Sequence, residues 1–150
     1  MSNVTIVLHV VDVMSNEVFT VQSEDPVSKA VSTLVKNDVG SIVVLDERGE
    51  LSGIITKGDV LRKVLLESLD PKKTPAKDVM SANVITIEYT ATVEEASKLM
   101  IQKGVSKLPV LNEGKLVGIV TSTDIIRTEP AEINYLQELI RARFVPHELR

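Results

Sequence analysis

Hydrophobic positions along this chain change their spacing in a fixed order, and they do so twice. Val18 to Val21 and Val84 to Ile87 are short β-branched runs that predict strands. After the first, Asp25 and Pro26 mark a helix start, and Val27, Ala30, Val31, Leu34 and Val35 fall at helical spacing. After the second, Thr92 with Glu95 three residues on predicts a capping box, and Val93, Ala96, Leu99 and Met100 supply the apolar stripe. The period shortens again in Ser41 to Asp46 and Leu51 to Thr56, two apolar runs on either side of a turn containing Gly49. Lys107 to Asn112 and Leu116 to Thr121 repeat this around Gly114, so each pair predicts a hairpin. A second helix begins near Gly58 in one unit and Ser122 in the other. Each unit therefore reads strand, helix, strand, strand, helix.

The two units are copies of one another. Asp12 to Arg62 aligns with Asp78 to Arg127 at an offset of 66 residues, falling to 65 after a one-residue gap near Arg48, with nineteen identical pairs. Asp12-Val13-Met14-Ser15 matches Asp78-Val79-Met80-Ser81, and Gly53, Ile54, Thr56, Asp59 and Arg62 match Gly118, Ile119, Thr121, Asp124 and Arg127. The expected fold is mixed α/β, of the α+β kind, with two tandem β-α-β-β-α units related by a pseudo-twofold axis. Residues 1–69 form the first unit and 77–128 the second, joined by the polar, proline-rich connector 70–76. Neither unit is expected to bury its faces alone, which places a single core where the two meet. Residues 129–150 are expected to add a helix, because Ile133, Leu136, Leu139 and Ile140 keep helical spacing between Pro130 and Arg143. That helix serves either ordinary packing or contact with a partner.

Composition narrows the chemistry. At 150 residues with 43% hydrophobic content, the chain can bury a sizeable core without disulfides or metal. The absence of cysteine removes disulfides, thiolate metal sites and cysteine nucleophiles. A net charge of -4 argues against a general nucleic-acid partner, which needs a basic face. No run approaches the roughly 20 apolar residues of a membrane span, and Met1 to Asp12 lacks signal-peptide features, so a cytoplasmic protein without a membrane partner is expected. The two histidines, His9 and His147, lie outside the repeats, and neither a phosphate-binding P-loop nor a dinucleotide fingerprint occurs. The chain is therefore not expected to be an enzyme, and no catalytic residue, metal site or required cofactor is assigned.

The repeated residues resemble the CBS-domain family, in which two tandem motifs form one Bateman module. The resemblance rests on the Asp-Val-Met-Ser start of each copy and on Val105-Ser106-Lys107-Leu108-Pro109-Val110. It rests further on the closing signature G-I-x-T-x-x-D, which occurs as Gly53 to Asp59 and as Gly118 to Asp124. It implies a regulatory module whose two clefts bind adenosine-containing ligands, AMP, ADP, ATP or S-adenosylmethionine, together with pairing into a homodimer and a separate effector protein. By position, Asp59 and Asp124 would accept from ribose hydroxyls, and Thr56 and Thr121 would contact ribose or phosphate. Backbone at Val18 to Thr20, Val84 to Thr86, Val39-Gly40-Ser41 and Val105-Ser106-Lys107 would hold the base.

The chemistry suits those roles. A carboxylate can accept from both hydroxyls of a vicinal diol, and a helix start offers N–H groups and a positive dipole end to a phosphate. Lys107, Arg62 and Arg127 could add positive charge. Thr-x-x-Asp at a helix start equally fits a purely structural capping box. Where the second copy has Lys107 and Pro109, the first has Ser41 and Val43, so unequal clefts are expected. Beside the ligand sensor stands a second reading, a dimerisation scaffold whose clefts bind nothing.

Overall fold

The structure, a computed structural model, describes residues 7–128; the expected C-terminal helix and His147 lie outside them. The element order is α1 (Val10–Val13), β1 (Thr20–Gln22), α2 (Val27–Asn37), β2 (Ser41–Leu45), β3 (Leu51–Thr56) and α3 (Lys57–Asp59), which continues as a π-helix over Val60–Leu65. A 3-10 turn (Ala76–Asp78) leads into β4 (Ile87–Glu88), α4 (Val93–Lys103), β5 (Lys107–Asn112), β6 (Lys115–Thr121) and α5 (Ser122–Ile126). Each copy thus has the expected β-α-β-β-α order.

Each copy builds its own three-stranded sheet, with β2 or β5 in the centre. The crossover through α2 or α4 makes the outer pair parallel, and the short turn makes the hairpin pair antiparallel. Central strands are covered on both faces: Ile42, Val43 and Val44 are buried, as are Leu108, Pro109 and Val110. The first strand of each copy is shorter than its β-branched run. Pairing begins only at Thr20, opposite Val43, and at Ile87, opposite Val110, because Val18, Phe19 and Val84 lie before the ladder at the mouth of a cleft. Thr92 caps α4 by accepting from the Glu95 N–H at 3.1 Å.

The apolar interior is two clusters rather than one, and each is completed by the other copy. The first-copy cluster of Val21, Val27, Ala30, Leu34, Ile42, Val44, Ile55 and Val64 takes in Ala76 from the end of the connector and Val79 from the start of the second copy. The second-copy cluster of Ala96, Met100, Leu108, Val110, Val120 and Ile125 takes in Val10, with Val13 and Met14 packed against it. The exchanged segments are also hydrogen-bonded to their hosts. The Ser15 N–H donates to the Ile119 carbonyl at 2.9 Å and the Ser15 carbonyl accepts from the Ile119 N–H at 3.0 Å, and Ser81 pairs with Ile54 in the same way at 2.8 and 3.0 Å. This close approach explains the repeated glycines. A Cβ on Gly118 would lie 2.7 Å from the Ser15 carbonyl oxygen, and one on Gly53 would lie 2.9 Å from that of Ser81.

The connector is part of the first copy's structure. Pro26 stands at the N-cap of α2 without an N–H to offer. The next two donors go to the connector, Val27 N–H to the Thr74 carbonyl at 2.8 Å and Ser28 N–H to that of Pro71 at 2.9 Å. Two of the first-turn groups that every helix leaves unpaired are satisfied in this way. Among the described residues, no helix is long and apolar enough to cross a membrane.

Because the clash at Gly118 is with backbone and cannot be relieved by a rotamer change, Gly118→Ala is expected to cost about 1–3 kcal/mol of stability. Urea denaturation checks this. Gly49→Ala, where a Cβ meets nothing within 4 Å but φ is +79°, separates packing strain from backbone strain.

Candidate functional site

Two clefts lie where the copies meet, and each is built from both. In the first, of about 240 Å³, Ser15 to Phe19 and the Val39 to Val43 stretch come from the first copy, while Ile119, Thr121 and Asp124 come from the second. In the other, of about 390 Å³, Asn83 to Ile85 and the Gly104 to Pro109 stretch come from the second copy, while Ile54 and Thr56 come from the first. The exchange of leading segments produces this crossed construction. It brings Ser15 alongside Ile119 and Ser81 alongside Ile54, and so sets each segment beside the other copy's Thr-x-x-Asp turn.

Most of the expected ligand residues fall in these clefts. Val18, Val39, Ser41, Lys107, Thr121 and Asp124 line the first. Gly40, Ser41, Thr56, Val84, Val105, Ser106 and Lys107 line the second. Three lie elsewhere. Thr20, already inside the β1 ladder, lines a separate cavity of about 610 Å³ between the two hairpin turns. Thr86 lines neither cleft, and Asp59 is buried beneath the second with only 3% of its surface exposed.

Both Thr-x-x-Asp turns form complete capping boxes. The Thr56 hydroxyl accepts from the Asp59 N–H at 3.1 Å while Asp59 Oδ2 accepts from the Thr56 N–H at 2.9 Å. Thr121 and Asp124 do the same at 3.2 and 2.9 Å. The helix-start donors expected to await a phosphate are partly engaged as well, Lys57 N–H by the Gly40 carbonyl and Ser122 N–H by that of Ser106. Beyond the box, the two carboxylates differ. Asp59 Oδ1 faces Arg62 Nη2 at 3.5 Å, Lys63 Nζ at 3.6 Å and the Ser81 hydroxyl at 3.5 Å, and its Oδ2 also accepts from the Thr56 hydroxyl at 3.0 Å. Among the described residues, Asp124 Oδ1 accepts no hydrogen bond and no cation pairs with Asp124. One difference is in the sequence: where the first copy has Lys63 the second has Thr128, whose hydroxyl turns back to the Ile125 carbonyl at 2.6 Å. The other two are in geometry alone, since Arg127 and Ser15 match Arg62 and Ser81 but among the described residues neither bonds Asp124, and the Ser15 hydroxyl donates instead to the Glu17 carbonyl.

Lys107 lines both clefts. Its ammonium donates to the Ser41 hydroxyl at 3.4 Å, and among the described residues no carboxylate pairs with it. Burial, aided by the charge of Lys57, holds its pKa below the ordinary 10.5. Phe19 and Ile85, at equivalent places in the copies, and Ile119 and Ile54 also line the clefts. The isoleucines were within reach of the sequence: each stands two residues before its threonine on a strand, and so on the same face.

The family model for the CBS domain matches twice, over residues 10–66 and 76–130. The chain belongs to the CBS-domain family. It is 36% identical over 128 residues to protein MK0525 of Methanopyrus kandleri, a match covering 85% of this chain and 65% of the relative. It spans 59% and 41% of the length of two relatives from Methanocaldococcus jannaschii. Among solved structures it is similar to the CBS domain pair of protein MJ0100 in complex with 5′-methylthioadenosine and S-adenosyl-L-methionine, with 30% identity and a TM-score of 0.71 over 81% of this chain and 95% of that one. CBSX2 in complex with AMP is similar at 25% identity and a TM-score of 0.70 over the same shares.

An ammonium held in a partly desolvated place without a counter-ion burdens the ligand-free fold. Lys107→Met is therefore expected to raise the melting temperature of the ligand-free protein by a few degrees. The folded pKa lies below the unfolded one, so the unfolded chain binds more protons between those values and wild-type stability rises with pH across that window. Melting curves of wild type and variant from neutral to alkaline pH should converge as Lys107 loses its proton.

Proposed function

We propose that this chain is a regulatory module that senses an adenosine-containing ligand, AMP, ADP, ATP or S-adenosylmethionine, in the cleft that holds Asp124. The observation that carries this reading is the contrast between the two carboxylates. Asp59 has both oxygens engaged by its own protein, whereas Asp124 keeps Oδ1 without a partner among the described residues. A vicinal diol needs an available carboxylate, and in that cleft Val18, Phe19 and Val39 offer an apolar flank to a purine. Thr121 stands beside the sugar and Lys107 attracts phosphate. The ligands named for the MJ0100 pair and for CBSX2 support an adenosine-containing compound.

Binding would then act by mass action on the arrangement of the two copies. The cleft is made from both, so a ligand with unequal affinity for two arrangements shifts their populations, and a separate effector protein reads the shift. The competing reading, a scaffold without ligand, draws support from the complete capping boxes. Isothermal titration with AMP, ADP, ATP and S-adenosylmethionine decides between them, and silence from all four leaves the scaffold. Asp124→Ala is expected to abolish binding while costing about 1 kcal/mol of stability through the lost cap. Intact binding in that variant overturns the clamp.

The same reading includes a homodimer. Val35 and Ile101 occupy equivalent places on α2 and α4, and they are 74% and 82% exposed. Leu61 and Leu65 are exposed on the helix that follows β3, and Val35 and Leu61 flank an apolar groove with Val31 and Val60. Equivalent apolar residues on both copies suit a self-complementary interface. Sedimentation should give a dimer for the wild type and a folded monomer for Val35→Glu combined with Ile101→Glu.

A further inference from the structure

We infer that Lys107 is a single phosphate anchor shared by the two clefts, so that the chain holds a phosphorylated adenosine ligand tightly in only one cleft at a time. This rests on the adenosine-ligand reading above and concerns how occupancy of one cleft governs the other. Ser41 and Lys107 occupy the same place in the two copies, and they touch, the ammonium donating to the Ser41 hydroxyl at 3.4 Å across a separation of 66 residues. Positions related by a twofold operation can meet only near its axis. Lys107 therefore sits where the pseudo-twofold axis passes, and from there it reaches both clefts.

Lys57 is near enough for its charge to act on Lys107, but it lines neither cleft. Among the described residues that line either cleft, Lys107 is the sole basic side chain. Arg62 and Lys63 are drawn to Asp59. Helix-start donors at Lys57 and Ser122 are taken by the Gly40 and Ser106 carbonyls. Gly40 keeps space open for the ammonium, since a Cβ there would lie 3.1 Å from Lys107 Nζ. A first phosphate neutralises the ammonium and leaves net negative charge at the axis. A second, approaching from the other cleft, meets that charge in a partly desolvated place where like charges repel strongly.

Isothermal titration of the full chain with AMP and with adenosine tests this. For wild type, one AMP per chain is expected, with any second event at least tenfold weaker. Lys107→Met should weaken AMP at least tenfold and adenosine less than twofold, and Lys107→Arg should restore the single tight site. Ser41→Lys supplies the missing ammonium at the equivalent place, and should bring the second AMP to within about threefold of the first. Two equal AMP sites in wild type, or unchanged AMP affinity in Lys107→Met, overturn the shared anchor while leaving the adenosine reading standing. If AMP does not bind wild type the anchor fails, and if ADP, ATP, S-adenosylmethionine and adenosine are silent as well the adenosine reading fails with it. Circular dichroism confirms that each variant is folded, and the methionine and arginine variants carry the test if Ser41→Lys is not.

Discussion

Everything in this molecule depends on the reciprocal exchange of two short segments. Each copy has one sheet and two helices, too little to close an interior, and the first residues of the other copy fill the gap. The exchange is fixed by main-chain bonds at Ser15 and Ser81, and it leaves no room for a side chain at Gly53 or Gly118. Once those segments have crossed, the clefts follow, because each then has the leading segment of one copy against the helix-start turn of the other. Fold and site are therefore consequences of the same crossing.

A repeat that is nearly symmetric in sequence becomes asymmetric in chemistry through a few substitutions. Lys63 against Thr128 removes one of the cations that engage an aspartate in the same capping box. Lys107 against Ser41 places one charge where symmetry would demand two or none. Glu17 against Asn83 adds a second carboxylate to the cleft of Asp124 and none to the other. These exchanges leave the interior untouched, since all lie on the rims of the clefts or on helix surfaces, while the buried members of both interior clusters are apolar.

The order of elements was legible because spacing and turn chemistry are local. The hairpins around Gly49 and Gly114, the helix beginning at Pro26 and the cap at Thr92 all stand where the pattern put them. The exchange was not legible. Apolar positions such as Ala76, Val79 and Met80 suggest burial, but not against which copy, and the expected single core divided into two clusters for that reason. The site was legible in its members and less so in its pairing. Alignment named both Thr-x-x-Asp turns, yet only the crossing joins Asp124 to Val18 and Thr56 to Val84. Nor could spacing alone reveal that Lys63 occupies Asp59, since a lysine four residues along a helix can as easily face solvent.

The stretch from Asp70 to Ala76 carries one more consequence. By composition it is a tether, and tethers usually tolerate changes of length at small entropic cost. Here its carbonyls end the ladder of α2, and its last residue enters the first-copy interior. The spacing between the repeats is thus a structural dimension and not slack. A chain of this kind can vary the rims of its clefts far more freely than it can vary the number of residues between its halves.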